Sequence, residues 1–260
     1  MATNVSQYDS IAEKYVEGHQ TNFLESVECY TVYHCLLKPL LDEHGLLTGK
    51  RVLDLGCGQG HHTRRLKALN CDYILGVDIS SEMIKLALEA ENENPKGLNY
   101  IVADVKKLPL PEKPYDLVTA FYLLNFARTR EDLLEMARTI YAQLGENKRF
   151  IGVTANVVGG KDSFDKRKYG VVRHVNIPLD EGLIPDGTEV FVTLYNKKNE
   201  PTCTFTTYYL SPNTHEQVFK EVGFKTFEWV HYQCDPDVPN KAFYDDLIKC
   251  ANGIGVIATK

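Results

Sequence analysis

Short apolar runs alternate with amphipathic stretches over the first two thirds of the chain. Five of these runs are rich in Val, Ile and Leu and have the length of buried strands; they occupy residues 51–55, 73–77, 99–103, 115–120 and 149–154. Helical spacing of apolar positions follows at 61–69, in a segment that begins at Ser80 or Ser81, and at 130–144. Strands that alternate with helices predict a parallel sheet covered by helices on both faces.

The two ends of the chain follow other patterns. Residues 7–18 predict a short helix that carries Tyr8, Ile11 and Tyr15 on one face, and 22–44 predicts a longer helix. After residue 156 the alternation stops. We expect an irregular stretch at 157–187, a hairpin of 188–196 with 201–210, a helix at 212–222, a strand at 224–232, a helix at 240–251 and a last strand at 255–259.

The first predicted strand runs into a glycine-rich loop. Residues 52–60 read VLDLGCGQG and contain Asp54, Gly56, Gly58 and Gly60. Glycines at this place let the backbone approach a ligand closely at the start of a helix. A dinucleotide fingerprint that began at Gly56 would need a third glycine at position 61, which is His61. The Asp54 carboxylate would repel a diphosphate, whereas it suits a ligand such as S-adenosylmethionine, which carries an ammonium and a sulfonium.

Acidic residues also follow the next two predicted strands. Asp78 ends the second strand, where a carboxylate accepts hydrogen bonds from both hydroxyls of a ribose. Ile79 and Met83 would then border the adenine. Asp104 follows the third strand and can accept from the exocyclic amine of the adenine, with the backbone of Val105 nearby.

These motifs resemble the pattern of the class I, Rossmann-like S-adenosylmethionine-dependent methyltransferases. DLGCGQG, GVDIS at 76–80, VADVKKLPLP at 102–111 and YDLVTAFYLLNFA at 115–127 follow one another in the order and at the intervals of that family. Shorter pieces, among them YDSIA near the N-terminus, KYG at 168–170 and FYDDL at 243–247, resemble the toxoflavin-type azapteridine N-methyltransferases.

The resemblance implies an activity and an architecture. S-adenosylmethionine would be the cofactor, S-adenosylhomocysteine its product, and the methyl acceptor a small molecule that reacts through a nitrogen of a heterocycle or an amine. The fold would be α/β, with a seven-stranded, mostly parallel Rossmann-like sheet, helices on both faces and a small inserted cap. Its parts would be an N-terminal helical lid at 1–44, the cofactor-binding core at 45–156, the cap at 157–211 and the C-terminal part of the sheet at 212–260.

The resemblance also suggests further site residues near the cofactor. In related enzymes the N-terminal helix closes over the cofactor, which implies Tyr15 as a lid residue and Tyr8 as a neighbour of the acceptor. Phe121 would contact the cofactor at the end of the fourth strand. Tyr8 and Tyr15 are equally compatible with a role as core aromatic residues of a packing helix.

Candidate catalytic residues follow the same strand or lie in the predicted cap. Tyr122 and Asn125 come where the acceptor should meet the methyl group, and His174 is a candidate base. Trp229 could form a wall for an aromatic acceptor. None of them is required as a base, because ring nitrogens of an acidic heterocycle can react as anions, and each has a plain packing or turn role as its alternative.

Three other functions stay open: a small-molecule O-methyltransferase, an NAD(P)-dependent oxidoreductase, and a cofactor-binding protein without turnover. The net charge of −6 over 260 residues disfavours nucleic acid or an anionic membrane as partner. Seven scattered cysteines offer no metal-ligand spacing and favour reduced thiols in a cytoplasmic protein. No targeting signal and no membrane-spanning stretch is expected, and the chain would be a monomer or a homodimer.

Overall fold

The computed structural model describes residues 6–19, 24–178 and 184–260. The predicted start of the second helix at residue 22 and part of the predicted cap lie outside these ranges. The strands are β1 (Arg51–Leu55), β2 (Tyr73–Asp78), β3 (Asn99–Val102), β4 (Tyr115–Phe121), β5 (Leu144–Ala155), β6 (Asp165–Lys166), β7 (Val171–His174), β8 (Thr188–Tyr195), β9 (Pro201–Tyr209), β10 (Thr226–Val230) and β11 (Gly253–Thr259). The α-helices are α1 (Ala12–His19), α2 (His61–Ala68), α3 (Ser81–Glu93), α4 (Arg130–Gln143), α5 (Pro212–Val222) and α6 (Asp245–Lys249).

A seven-stranded sheet forms the centre, in the order β10-β11-β5-β4-β1-β2-β3. The five strands from β1 to β5 run parallel, and β11 lies antiparallel to both β5 and β10. This confirms the predicted α/β fold with five parallel strands and a C-terminal pair. The strand order reverses beside β1, whose neighbours are β2 and β4, and such a reversal opens a crevice at the carboxyl ends of the strands.

Each face of this sheet carries its own apolar layer, because side chains alternate along a strand. Val52 of β1 points to the layer that contains Leu36 and Leu66, whereas Leu53 and Leu55 point to the opposite layer against α4 and α5. Both layers are fully buried at their centres. The central strands are therefore covered on both faces, as parallel strands require.

A second, antiparallel sheet in the order β6-β7-β8-β9 lies in the predicted cap. The hairpin of β8 and β9 confirms the expected strand pair. The expectation of an irregular stretch at 157–187 was wrong in part, since β6 and β7 lie within it. Strand β7 has only four residues and pairs with β8 some twenty positions later, as Val171 opposite Leu194 shows. Such a short segment carries little periodicity of its own.

Several predicted helices are broken in the structure. A 3₁₀ turn at Gln7–Ser10 precedes α1. In place of one helix over 22–44, π-helical segments span Leu24–Cys29 and Thr31–Leu36, followed by a 3₁₀ turn at Lys38–Leu40 that contains a proline; proline cannot continue a helix because it lacks an amide N–H. The last strand begins at Gly253, two residues earlier than expected. None of the helices in the described ranges has the length and apolarity that a bilayer crossing requires.

Candidate functional site

A cavity of about 870 Å³ opens at the carboxyl ends of β1, β2 and β4, at the reversal of strand order. The glycine loop, the segments after β2, β3 and β4, the N-terminal segment and β9 form its walls. Nine of the predicted cofactor residues line it, namely Tyr15, Gly56, Gly58, Asp78, Ile79, Met83, Asp104, Val105 and Phe121. The structure thus brings together residues from four separate motifs of the sequence.

The glycine loop holds left-handed backbone at alternate positions. Gly56, Gly58 and Gly60 have φ values of 66°, 53° and 81°, a region that favours glycine. A Cβ at Gly60 would lie 2.3 Å from the hydroxyl of Tyr100, whereas a Cβ at Gly58 would meet no atom within 4 Å. Gly60 is therefore demanded by packing and does not line the cavity, while Gly58 leaves open space on the cavity side.

Asp78 joins the end of β2 to the glycine loop. Its Oδ2 accepts a hydrogen bond of 2.8 Å from the Gly58 amide, and its Oδ1 accepts one of 2.8 Å from the Ser80 amide. Burial raises the pKa of this carboxyl above its usual range, while the amide donors act against that shift. Each carboxylate oxygen keeps further acceptor capacity, so Asp78 can still accept from hydroxyl groups of a ligand in the cavity.

Asp54 is the clearest correction to the predicted site. Its side chain is fully buried and does not line the cavity. It accepts hydrogen bonds from the hydroxyls of Thr63, at 2.6 Å, and Thr119, at 2.8 Å. Because Asp54 alternates with Leu53 and Leu55 along β1, its side chain points towards α2 and not along the strand to the ligand. The prediction that Asp54 faces the ligand is therefore wrong; it ties β1 to α2 and β4.

The segment after β3 supplies a second carboxylate at the cavity wall. Asp104 caps the 3₁₀ turn at Val105–Lys107, since its Oδ1 accepts from the Lys106 amide at 3.0 Å. The ammonium of Lys106, which also lines the cavity, donates to Asp132 at 2.7 Å. The carboxylates of Asp78 and Asp104 therefore stand at a wall where the Lys106 charge is already neutralised by Asp132.

The N-terminal segment lies over the crevice and is held on two sides. On the core side, Asp9 Oδ1 accepts from the Ser80 hydroxyl at 2.6 Å. On the cap side, the side-chain amide of Gln7 exchanges two hydrogen bonds with the backbone of Thr206 in β9, at 2.8 and 2.9 Å. The rings of Tyr8 and Tyr15 pack edge to face, with 5.0 Å between the ring centroids. Both tyrosines also line the cavity, and their role as lid residues stays a prediction.

Tyr122 belongs to a buried polar network that the sequence analysis missed. Its backbone has φ of 60°, unusual for a residue with a side chain. Its hydroxyl donates to Glu28 at 2.5 Å, Tyr232 donates to the same carboxylate oxygen at 2.7 Å, and His62 Nε2 lies 3.8 Å from the other oxygen. Desolvation and the adjacent Glu28 raise the pKa of Tyr122. The hydroxyl is thus engaged with Glu28, which leaves the ring of Tyr122 as its contribution to the cavity.

A smaller cavity of about 50 Å³ lies between the crevice and the second sheet. Tyr8, Tyr15 and Tyr122 line both cavities. Asn125 lines only the smaller one and is buried, with its Oδ1 3.5 Å from the Thr154 hydroxyl. The structure therefore places Asn125 behind the tyrosines and not in the main crevice.

Two predicted substrate residues lie away from both cavities. His174 is exposed on β7 and contacts Asn176, with 2.8 Å between Nε2 and Oδ1. Its side chain points out of the sheet because the preceding Arg173 points in. Trp229 lies in the edge strand β10 and donates to Glu216 at 2.8 Å. Contrary to the prediction, His174 and Trp229 therefore line neither of the two cavities in which an acceptor could lie.

One group of metal-ligating residue types occurs among the described residues, at Glu25, Cys29 and His61. Glu25 forms an ion pair with Arg65. Burial, reinforced by Glu28, raises the pKa of the Cys29 thiol to about 12. A cation at this place would have to compete with Arg65 for the Glu25 carboxylate.

Comparison with known proteins places this geometry in context. Residues 52–147 match a family model described as a methyltransferase domain. The chain is 31% identical over 101 residues to the ubiquinone biosynthesis O-methyltransferase of Paraburkholderia phymatum, which covers 38% of this chain and 43% of that protein. It is 28% identical over 138 residues to the ubiquinone/menaquinone biosynthesis C-methyltransferase UbiE of Erwinia tasmaniensis, and this match covers 51% of this chain and 53% of that protein. The chain spans about half the length of these curated relatives.

Solved structures share the whole fold. An S-adenosylmethionine-dependent methyltransferase from Mesorhizobium loti superposes with a TM-score of 0.61 at 22% identity, over 86% of this chain and 96% of that one. The amino pentose methyltransferase CalS10 of Micromonospora echinaspora was solved with S-adenosylmethionine bound. It superposes with a TM-score of 0.58 at 15% identity, over 95% of this chain and 96% of CalS10. The chain therefore has the fold of the class I S-adenosylmethionine-dependent methyltransferases, and its residues 52–147 match a methyltransferase-domain model.

Proposed function

We propose that this chain is an S-adenosylmethionine-dependent methyltransferase whose acceptor is a small molecule that reacts through a nitrogen of a heterocycle or an amine. The observation that carries the proposal is the pairing of Asp78 with the Gly58 amide at the edge of a cavity of about 870 Å³. A carboxylate beside an open glycine loop offers acceptors to the hydroxyls of a ribose. The matching methyltransferase domain over 52–147 supports the same assignment.

Each part of S-adenosylmethionine would have its own contacts in the cavity. Asp78 would hold the ribose, Ile79 and Met83 would contact the adenine faces, and Asp104 with the Val105 backbone would receive the adenine amine. The open space at Gly58 would take the methionyl end close to the backbone. Two carboxylates at this wall favour a nucleoside that carries positive charge.

The chain's own residues would contribute placement and the exclusion of water. When bound, S-adenosylmethionine supplies a methyl group on a positively charged sulfur, which is already a good leaving group. The rings of Tyr8, Tyr15 and Tyr122 separate the crevice from the inner cavity and restrict where an acceptor atom can lie. Alignment of two reactants can supply about 7–11 kcal/mol at the upper end. Because the Tyr122 hydroxyl is engaged with Glu28, we assign it no role as a base.

Calorimetry separates the proposed cofactor from its rival. We expect the purified chain to bind S-adenosylmethionine and S-adenosylhomocysteine and to ignore NAD and NADP. Binding of a dinucleotide without binding of S-adenosylhomocysteine would favour an oxidoreductase and overturn the proposal. Binding of the cofactor without methyl transfer to any nitrogen, oxygen or carbon acceptor in a broad panel would favour a cofactor-binding protein without turnover.

The acceptor atom needs a separate test. The two curated relatives are named as an O-methyltransferase and a C-methyltransferase, so oxygen is the rival to nitrogen. Products formed with a ¹³C-labelled methyl donor can be assigned by NMR, because N-methyl and O-methyl carbons resonate at different shifts. A labelled O-methyl product from acceptors that offer both atoms would overturn the nitrogen assignment and leave the methyltransferase assignment intact.

A further inference from the structure

The smaller cavity contains a buried arginine with no ion-pair partner among the described residues. Arg173 lies in β7, retains 8% of its side-chain exposure and lines the cavity of about 50 Å³. Its guanidinium donates to the main-chain carbonyl of Asn252, which is neutral. No salt bridge joins Arg173 to a carboxylate in residues 6–19, 24–178 or 184–260. A buried charge without a counter-ion is costly to the folded state.

Apart from Asn125, Thr207 and Asn252, the residues that line the cavity with Arg173 are apolar or aromatic. Val171, Val192, Leu194 and Phe205 form the aliphatic and phenyl part of the cavity wall. The neighbouring Tyr122 hydroxyl donates to Glu28, so it cannot neutralise the arginine. Burial lowers the pKa of Arg173 from its usual value, yet a guanidinium stays protonated at neutral pH. The cavity therefore presents a positive charge to whatever enters it.

A second polar group in the same cavity also lacks a partner. Asn252 is buried, and its side-chain oxygen Oδ1 has no hydrogen-bond partner. Asn125 contributes a further buried amide to the lining. Buried acceptors without donors are uncommon in folded proteins and call for a ligand or a water molecule. An N–H or O–H of a bound molecule would satisfy Asn252 while an anionic group of the same molecule faced Arg173.

We propose that the cavity between Tyr122 and Arg173 is an anion subsite that recognises an acceptor carrying a carboxylate or an acidic ring oxygen next to an N–H or O–H group. This inference rests on the proposed function, since it assigns the acceptor class of that site. The anionic group lies against the Arg173 guanidinium, whose planar fork suits two oxygens at once. The remainder of the acceptor passes the tyrosines Tyr8, Tyr15 and Tyr122 towards the crevice, so the reacting atom is the one nearest to Tyr122.

The volume of the subsite limits the group that it holds. About 50 Å³ is room for a few water-sized groups and not for a second ring system. The Arg173 subsite would therefore take one end of the acceptor, while the crevice takes the rest. We expect selection by charge at this end to be strong, because the wall around the arginine is apolar and bulk water is largely excluded.

The test compares acids with their neutral amides of the same shape. We would measure binding of benzoate against benzamide, and of pyridine-3-carboxylate against pyridine-3-carboxamide, by calorimetry with and without saturating S-adenosylhomocysteine. The wild-type protein should prefer each acid by about tenfold or more, on the scale of a charge-assisted pair. In Arg173→Gln this preference should disappear, and in Arg173→Lys it should be reduced but retained.

A matched control is available in the same cap. Arg167 donates to the Tyr195 hydroxyl at 2.7 Å and lies outside both cavities, so Arg167→Gln should keep the full preference for acids. Equal affinity of the wild-type protein for acids and amides, or a preference that survives in Arg173→Gln, would overturn the anion subsite. Affinity for S-adenosylhomocysteine should be unchanged in every arginine variant. If the wild-type protein did not bind S-adenosylhomocysteine at all, the proposed function itself would fail. A failure of the proposed function can thus be told apart from a failure of the anion subsite.

Discussion

Replacement of Asp78 by asparagine tests the cofactor site most directly. The carboxylate accepts from two backbone amides, those of Gly58 and Ser80, each at 2.8 Å. Asparagine keeps the shape but turns one oxygen into an NH₂ group, which then faces an amide donor. The same change removes an acceptor that the ribose hydroxyls would use. Asp78→Asn should therefore weaken S-adenosylhomocysteine binding and loosen the glycine loop.

The expected magnitude follows from the bonds that are lost. Hydrogen bonds to a charged group contribute about 1.5–3 kcal/mol each, and a partly compensated loss falls at about 1–3 kcal/mol. This range corresponds to about a 5- to 150-fold rise in the dissociation constant. Asp72 offers a matched control at the opposite end of β2, because it is exposed and accepts from the Gly49 amide at 2.9 Å. Asp72→Asn should leave cofactor affinity unchanged.

Calorimetry with two ligands separates the ribose contact from the effect on the loop. The wild-type protein should bind S-adenosylhomocysteine more tightly than its 2′-deoxy analogue. If Asp78 holds the ribose, the variant should lose much of this difference, because the deoxy ligand already lacks one of the contacts. An unchanged dissociation constant in a correctly folded Asp78→Asn protein would refute the reasoning, and so would an equal penalty for both ligands.

Three further predictions concern stability. Gly60→Ala should lower the midpoint of urea unfolding more than Gly58→Ala, because both have left-handed backbone but only Gly60 has the Tyr100 hydroxyl in the path of a Cβ; equal midpoints would contradict this. Tyr122→Phe should lower the free energy of unfolding by about 1.5–3 kcal/mol, since a buried carboxylate loses a donor, and a loss below about 0.5 kcal/mol would be inconsistent with that bond. Burial lowers the pKa of His215 from 6.5, so the unfolded chain takes up its proton first and stability should fall as pH drops below that value. His215→Gln should show a shallower decline of stability over pH 7 to 5, by about 1.4 kcal/mol per pH unit at most. Parallel curves for the two proteins would exclude this origin.

The central sheet was predictable because its signal is local. Each of the strands β1, β2 and β4 is a short apolar run, and β1 is followed by a glycine while β2 ends in an acidic residue. The carboxyl ends of such strands meet at one edge in any parallel sheet. Asp78, Gly56 and Gly58 therefore reached the cavity wall as expected. This part of the site was therefore predictable from the order of the motifs along the chain.

The acceptor side depended on contacts that no local pattern encodes. Glu28 meets Tyr232 across 204 positions of sequence, and Arg173 meets Asn252 across 79. Glu28 lies in a π-helical segment between buried apolar neighbours, where a sequence reading assigns it to a surface. His174 was favoured for its residue type, although the alternation along β7 turns its neighbour Arg173 inwards. Residue type alone could not decide which of the two faces the cavity.

The enclosure of Asp54 by Thr63 and Thr119 affects how the Asp residue before such a glycine-rich loop should be interpreted. The Asp54 carboxylate lies outside the cavity lining and fastens one strand to the helix that follows and to the strand beside it, so the scaffold alone gives a reason to keep it. A descendant could lose all affinity for a nucleoside and still retain this residue. Conversely, the carboxylate at the tip of the second strand lines the cavity as well as holding the glycine loop, so a loss of binding would remove part of what retains it. The state of that second position is therefore the better sign of a working pocket.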